Sequence, residues 1–166
     1  MFVYPFKRLL VATDFSSCSD SALELASNLA REHDGELLVV HVVEVHGIPL
    51  EAKLFPASHP EGITAERYTH ELASKQLARR LETIPARRRA IVVHGAPAQS
   101  ILEVAAQEHA DIILMGTRGR GGVMHILAGS VAEKVVRRST VPVVTVREPT
   151  CRHAPIDPDI DGETEG

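Results

Sequence analysis

Five short aliphatic runs punctuate the chain: Leu9 to Ala12, Leu37 to Val43, Ala90 to Val93, Asp111 to Met115 and Val141 to Val146. They are β-branched and nearly continuous rather than alternating, the pattern of strands buried on both faces of a parallel sheet. The stretches between them follow a helical period. Ala22, Ala26, Leu29 and Ala30 share one face of a helix that should stop at Asp34-Gly35. Tyr68, Leu72, Leu77, Leu81 and Ile84 repeat at helical spacing behind Thr64, a candidate N-cap. Ile101, Leu102 and Ala105 mark a third helix. Val131, Val135 and Val136 mark a fourth, with Ser130 able to cap it and Arg137 and Arg138 placed to complement its C-terminal dipole.

Strands and helices therefore alternate, which predicts an α/β domain: an open five-stranded parallel sheet with helices on both faces, Rossmann-like, its crossovers right-handed. A strand order of 3-2-1-4-5 puts the reversal of direction between strands one and four. The domain is expected over residues 1–148. Pro142 removes a ladder donor from the last strand and favours a sheet edge for it. Residues 46–63 contain Pro49, Pro56, Pro60 and Gly62 and exceed an ordinary connection, so they read as a mobile loop or a lid. Residues 149–166, with Pro149, Pro155 and Pro158 among acids, read as a disordered tail.

Composition narrows the function. The 166 residues are 44% hydrophobic and 24% charged, enough for one aliphatic core. With 4% aromatic residues and no Trp, base stacking on exposed rings is not the main activity. The net charge of −4 equals the excess of Asp157, Asp159, Asp161, Glu163 and Glu165 over Arg152, so the folded body is formally neutral. No global field draws it to nucleic acid or to an anionic membrane. Cys18 and Cys151 sit in no C-x-x-C, and the simplest expectation is reduced thiols in a cytoplasmic protein. No apolar run approaches the roughly 20 residues of a membrane span.

Local chemistry concentrates after the fourth run. It leads into Gly116-Thr-Arg-Gly119-Arg-Gly121-Gly122, and Gly129-Ser130 opens the last helix. Backbone N–H groups freed by glycine turns, added to the positive end of a helix, form an anion site suited to phosphate. Arg118 and Arg120 add positive charge beside it, and Thr117 and Ser130 offer hydroxyl donors. A glycine-rich surface turn that binds nothing is the competing account, but the strand before and the helix after favour the site. The loop is neither a Walker A sequence nor a dinucleotide fingerprint, since position 124 is Met124.

The second feature is Ala12-Thr13-Asp14 at the end of the first strand. In an open α/β sheet a ligand sits outside the carboxyl ends of the strands where the order reverses. Asp14 and Gly116 would then flank one crevice. Asp14 either accepts from a ribose hydroxyl or an adenine amine, or helps hold magnesium, or simply caps the following turn.

The spacing G-x2-G-x9-G-[ST], met by Gly116, Gly119, Gly129 and Ser130, resembles the nucleotide motif of the ATP-binding universal stress proteins. Leu9 to Asp14, Leu37 to Val42, Asp111 to Gly116, Gly129 to Ala132 and Pro142 to Val144 are similar to that family's segments, in its order. The resemblance implies that Asp14 meets the adenosine portion and that backbone near Ala12 and Val42 lines the adenine slot. Met115 and Gly116 would pass beneath the ribose, while Arg118, Gly119, Gly129, Ser130 and Val131 surround the triphosphate of ATP, with or without Mg. It also implies a homodimer through the last strand, Val141 to Val146.

Other residues carry less. The nine histidines lack a zincin pattern; His41 reads as a core or cleft histidine bonded to backbone, and His125 as a loop residue. Arg87-Arg88-Arg89, preceded by Arg79 and Arg80, reads as a solvated face. Cys18 near a helix start is a minor candidate for a redox-sensitive thiol. There is no nucleophile elbow or paired carboxylate, so binding is better supported than turnover. Three readings stand: a nucleotide-responsive module, a slow ATPase or self-phosphorylating protein using Ser16, Ser17, Thr117 or Ser130, and a nucleotide-free dimer acting through partner contacts.

Overall fold

Strand β1 (Arg8–Ala12) threads the middle of the molecule, and in the computed structural model Leu9, Leu10 and Val11 are fully buried. The structure describes residues 6–44, 47–117 and 131–147. Around β1 lie α1 (Ser17–Glu32), β2 (Glu36–Val43), β3 (Lys53–Leu54), β4 (Ile63–Thr64), α2 (Ala65–Leu81), β5 (Arg87–His94), α3 (Pro97–Gln107), β6 (Ile112–Gly116), α4 (Val131–Arg138) and β7 (Val143–Val146). The main sheet has the order β5-β2-β1-β6-β7 and is parallel throughout. This is the doubly wound arrangement expected from the sequence, with the reversal between β1 and β6.

Continuous aliphatic strands supply two cores at once, because alternate side chains leave opposite faces of the sheet. Leu10, Ala12, Leu38, Val40, Ile113 and Met115 meet Ile101, Val104 and Ala105 of α3 and Ala132 and Val135 of α4. Leu9, Val11, Leu37, Val39, Ile112 and Leu114 meet Leu23, Ala26 and Ala30 of α1 and Leu77 and Leu81 of α2. Each fully buried Leu or Val contributes about 1.5–3 kcal/mol relative to exposure, so the central strands dominate the stability.

Helix starts follow local chemistry. Ser16 caps α1, its side chain accepting from the Ser19 N–H, and Thr64 caps α2 in the same way through Arg67, as its position suggested. Pro97 occupies the first turn of α3, where its missing N–H costs nothing. The stop after α1 falls where Asp34-Gly35 indicated, but the left-handed residue is Asp34, at φ 49°. Gly35 is required for another reason: a Cβ there would come 2.6 Å from the Phe6 carbonyl oxygen.

Three expectations change. Residues 47–63 are not simply a mobile loop: Lys53 and Leu54 pair antiparallel with Thr64 and Ile63, forming a small hairpin that packs on the start of α2. Arg87, Arg88 and Arg89 are exposed, as a solvated face, but they belong to edge strand β5, opposite Glu36, Leu37 and Leu38, rather than to a loop after a helix. An edge strand with its arginines exposed has the same local composition as a polar loop. Finally, Cys18 is fully buried and disulfide-bonded, against the expectation of reduced thiols and of a reactive one there. The other cysteine, Cys151, and the acidic tail lie outside the described residues. No helix among the described residues is long and apolar enough to cross a membrane.

Candidate functional site

The carboxyl ends of β1 and β6 are adjacent, with Ala12 opposite Met115 and, on its other side, Val40 of β2. Beyond Ala12 the chain stays clamped to the sheet, since the Thr13 N–H donates to the Val40 carbonyl at 2.9 Å. The Thr13 carbonyl in turn meets His41 Nδ1 at 2.9 Å, so His41 is the backbone-bonded cleft histidine expected. Gly116 ends β6 against the first turn of α1: a Cβ there would lie 2.9 Å from both the carbonyl carbon and the Cβ of Cys18. Only glycine lets the helix start come this close to the strand.

Between them the 13–16 turn forms a directed network. The Phe15 N–H donates to Thr13 Oγ1 at 3.1 Å, and Ser19 Oγ donates to the Ser16 carbonyl at 2.8 Å. Ser19 has spent its only proton, so the 3.0 Å contact between Thr13 Oγ1 and Ser19 Oγ is donated by Thr13. Asp14 Oδ1 accepts twice, from the Ser16 N–H at 3.1 Å and from Ser16 Oγ at 2.5 Å. Asp14 therefore does hold the turn, while the helix cap itself is Ser16. Its second oxygen does not share in this: Asp14 Oδ2 is buried and has no hydrogen-bond partner among the described residues. A carboxylate oxygen withdrawn from water without a donor is costly, by about 1–3 kcal/mol or more.

The turn is also strained. Phe15 has φ 63°, in the left-handed region, which costs a residue with a Cβ about 1–2 kcal/mol. Phe15 is 2% exposed, and its ring lies 4.2 Å, centroid to centroid, from His41. Sequence patterning gave no sign of this conformation, because a phenylalanine before a helix reads as a core residue.

Of the residues singled out in the sequence, Ala12 and Met115 belong to the core on the α3 and α4 face of the sheet, and Val42 and Val131 are partly buried and pack against that core. Thr13 and Asp14 follow Ala12 at the end of β1, Gly116 ends β6, and Thr117 comes next, its N–H donating to the Val146 carbonyl at 2.9 Å. Arg118, Gly119, Arg120, Gly129 and Ser130, with His125, lie outside the described residues. Val143–Val146 forms the outer strand of the sheet next to β6, the edge position that Pro142 suggested. Among the described residues no group of three or more His, Cys, Asp or Glu side chains could hold a metal ion.

A residue outside the expected set bears on the same turn. Arg80, near the end of α2, is not on a solvated face: its Nη2 donates to the Phe15 carbonyl at 2.9 Å, its Nη1 pairs with Asp20, and its guanidinium lies 5.4 Å from the centre of the Phe15 ring.

The family model of the universal stress proteins matches residues 5–147, which span the whole sheet and both helical layers. The chain belongs to the universal stress protein family. Among curated members it is 34% identical over 147 residues to universal stress protein MJ0531 of Methanocaldococcus jannaschii, covering 87% of this chain and 84% of that one. Among solved structures, protein MJ0577 of the same organism superposes with a TM-score of 0.70 at 28% identity, over 87% of this chain and 97% of that one. A universal stress protein solved in complex with cAMP shares the fold at 24% identity, with a TM-score of 0.59 over 86% of this chain and 97% of that one.

Proposed function

We propose that this universal stress protein binds ATP, with or without Mg, in the crevice between β1 and β6 and acts as a nucleotide-responsive regulatory module. The observation that carries the reading is Asp14 Oδ2, a buried acceptor without a donor at the point where strand order reverses. A ribose hydroxyl or an adenine amine supplies that donor. Val42 and Val131, partly buried beside the core residues Ala12 and Met115, are assigned to the base, and the cAMP-bound relative supports the capacity of this fold for adenine nucleotides. The triphosphate falls to the loop from Arg118 to Ser130, whose glycines and arginines suit an anion. Asp14 Oδ1 is committed to Ser16, which leaves one oxygen of this carboxylate for a ligand.

Titration calorimetry with ATP and Mg tests the reading, with identification of any small molecule released on denaturation. Saturable binding at micromolar to millimolar concentration is the expected result. Absence of both binding and released adenine nucleotide overturns it. The proposal includes a homodimer through the outer edge of β7, to be checked by sedimentation; a strictly monomeric protein at all accessible concentrations removes that part.

A further inference from the structure

Arg80 stands 65 residues from Phe15 in sequence and on a different helix, yet it makes three contacts with the turn that carries Asp14 and with the helix that follows it. Its planar fork serves two acceptors: the Phe15 carbonyl through Nη2 and the Asp20 carboxylate through Nη1. Its positive face also lies near the Phe15 ring, 5.4 Å from the centroid. Those contacts bear on the one residue of the site held in the left-handed region, Phe15 at φ 63°. A hydrogen bond from a charged donor is of the same order as the strain of that conformation, so it is able to hold it.

We infer that Arg80 is a positioning residue of the nucleotide crevice: it locks Phe15 in the left-handed conformation and thereby keeps Asp14 Oδ2 aimed at the ligand. The inference rests on the nucleotide reading above. Were Phe15 to relax into the ordinary extended or helical basin, its peptide would rotate and carry the Ser16 N–H and Oγ away from Asp14 Oδ1. Asp14 would lose the two hydrogen bonds that fix its carboxylate, at 3.1 and 2.5 Å. Arg80 touches no ligand in this account. It acts through the backbone, which is why a residue on α2 governs a crevice between β1 and β6.

The test uses the full chain and two readouts. Amide hydrogen exchange in ligand-free protein reports the Phe15 and Ser16 N–H groups, both of which are bonded inside the turn. Calorimetry reports ATP affinity. In Arg80→Ala, exchange at these two amides should accelerate at least about tenfold relative to the Leu10 and Val39 amides of the core strands, and ATP should bind about tenfold more weakly, which is about 1.4 kcal/mol. Arg80→Lys, which keeps the charge beside the ring but lacks the planar fork, should fold even if the alanine variant does not. It should show the same two changes in smaller measure. Unchanged relative protection and ATP affinity within twofold of wild type in the lysine variant and in any folded alanine variant overturn the inference while leaving the nucleotide reading intact. Wild-type protein that binds no ATP overturns the nucleotide reading, and the exchange data then still decide whether Arg80 holds the turn.

Discussion

The two ends of the central sheet are built on the same strands and treat their charges in opposite ways. At the amino end Asp111 Oδ2 accepts from the backbone N–H groups of Lys7 and Arg8, at 2.7 and 2.8 Å. Beside it Arg8 Nη2 lies 3.1 Å from Glu108, and Arg89 grips both oxygens of Glu108 and approaches Glu36 at 3.8 Å. One Arg8 nitrogen, Nε, is left without a partner, but its guanidinium charge is met at another. At the carboxyl end Asp14 keeps one oxygen unmatched, and Phe15 is held in a conformation it would not choose. The amino end meets its charges with charges or backbone donors and stabilises the fold. The carboxyl end leaves one acceptor unsatisfied, an arrangement that binding sites carry at some cost in stability.

Substitutions at the two ends should therefore separate stability from binding. The largest effect is expected from Gly116→Val, where the new side chain meets the Cys18 backbone at the start of α1. Overpacking against backbone should cost about 3 kcal/mol of stability and abolish ATP binding, read by denaturant unfolding and calorimetry. A stable variant with wild-type affinity would break the view of Gly116 as a close-approach residue. Next comes Asp14→Asn, which keeps an oxygen for Ser16 but replaces the free acceptor by a donor. ATP affinity should fall by about 2 kcal/mol, roughly thirtyfold, with stability unchanged or slightly raised. Loss of stability without loss of affinity would mean that Asp14 serves the turn alone.

The amino end should behave in the converse way. Asp111→Ala strands two backbone N–H groups and should lower stability by about 1–2 kcal/mol in urea unfolding while leaving ATP affinity unchanged. The smallest effect is a pH dependence. The hydrogen bond from Arg89, aided by the charges of Arg89 and Arg8, holds the Glu108 carboxyl below its usual value of 4.5. A lowered folded value means that the stabilisation is present above the usual carboxylate range and is lost as pH falls through the lowered one. Glu108→Gln should therefore be less stable than wild type at neutral pH, with the gap closing in acid; a gap independent of pH would assign Glu108 a packing role only.

How much of this was legible along the chain depended on the kind of interaction. Leu9 to Val11 and Leu37 to Val40 announced themselves, because a strand covered on both faces must be aliphatic at every position. Asp14 and Gly116 could be paired in advance because topology places strand ends, not side chains, side by side. The arginines were legible only in part: Arg87 to Arg89 are surface charge but on an edge strand, and Arg80, which looks the same in sequence, bonds the Phe15 carbonyl.

The sequence alone thus determined the strand and helix order, the doubly wound class, the helix caps at Thr64 and the stop at Asp34-Gly35, since each is written in residues a few positions apart. Tertiary structure alone decided that Asp14 commits one oxygen to the turn and leaves the other buried without a donor among the described residues, that Phe15 is left-handed, and that Arg80 and Asp111 brace opposite ends of one strand. Those contacts join residues 65 and more than 100 positions apart. Their geometry exists only after the sheet has closed the loops between them, and no local pattern encodes it.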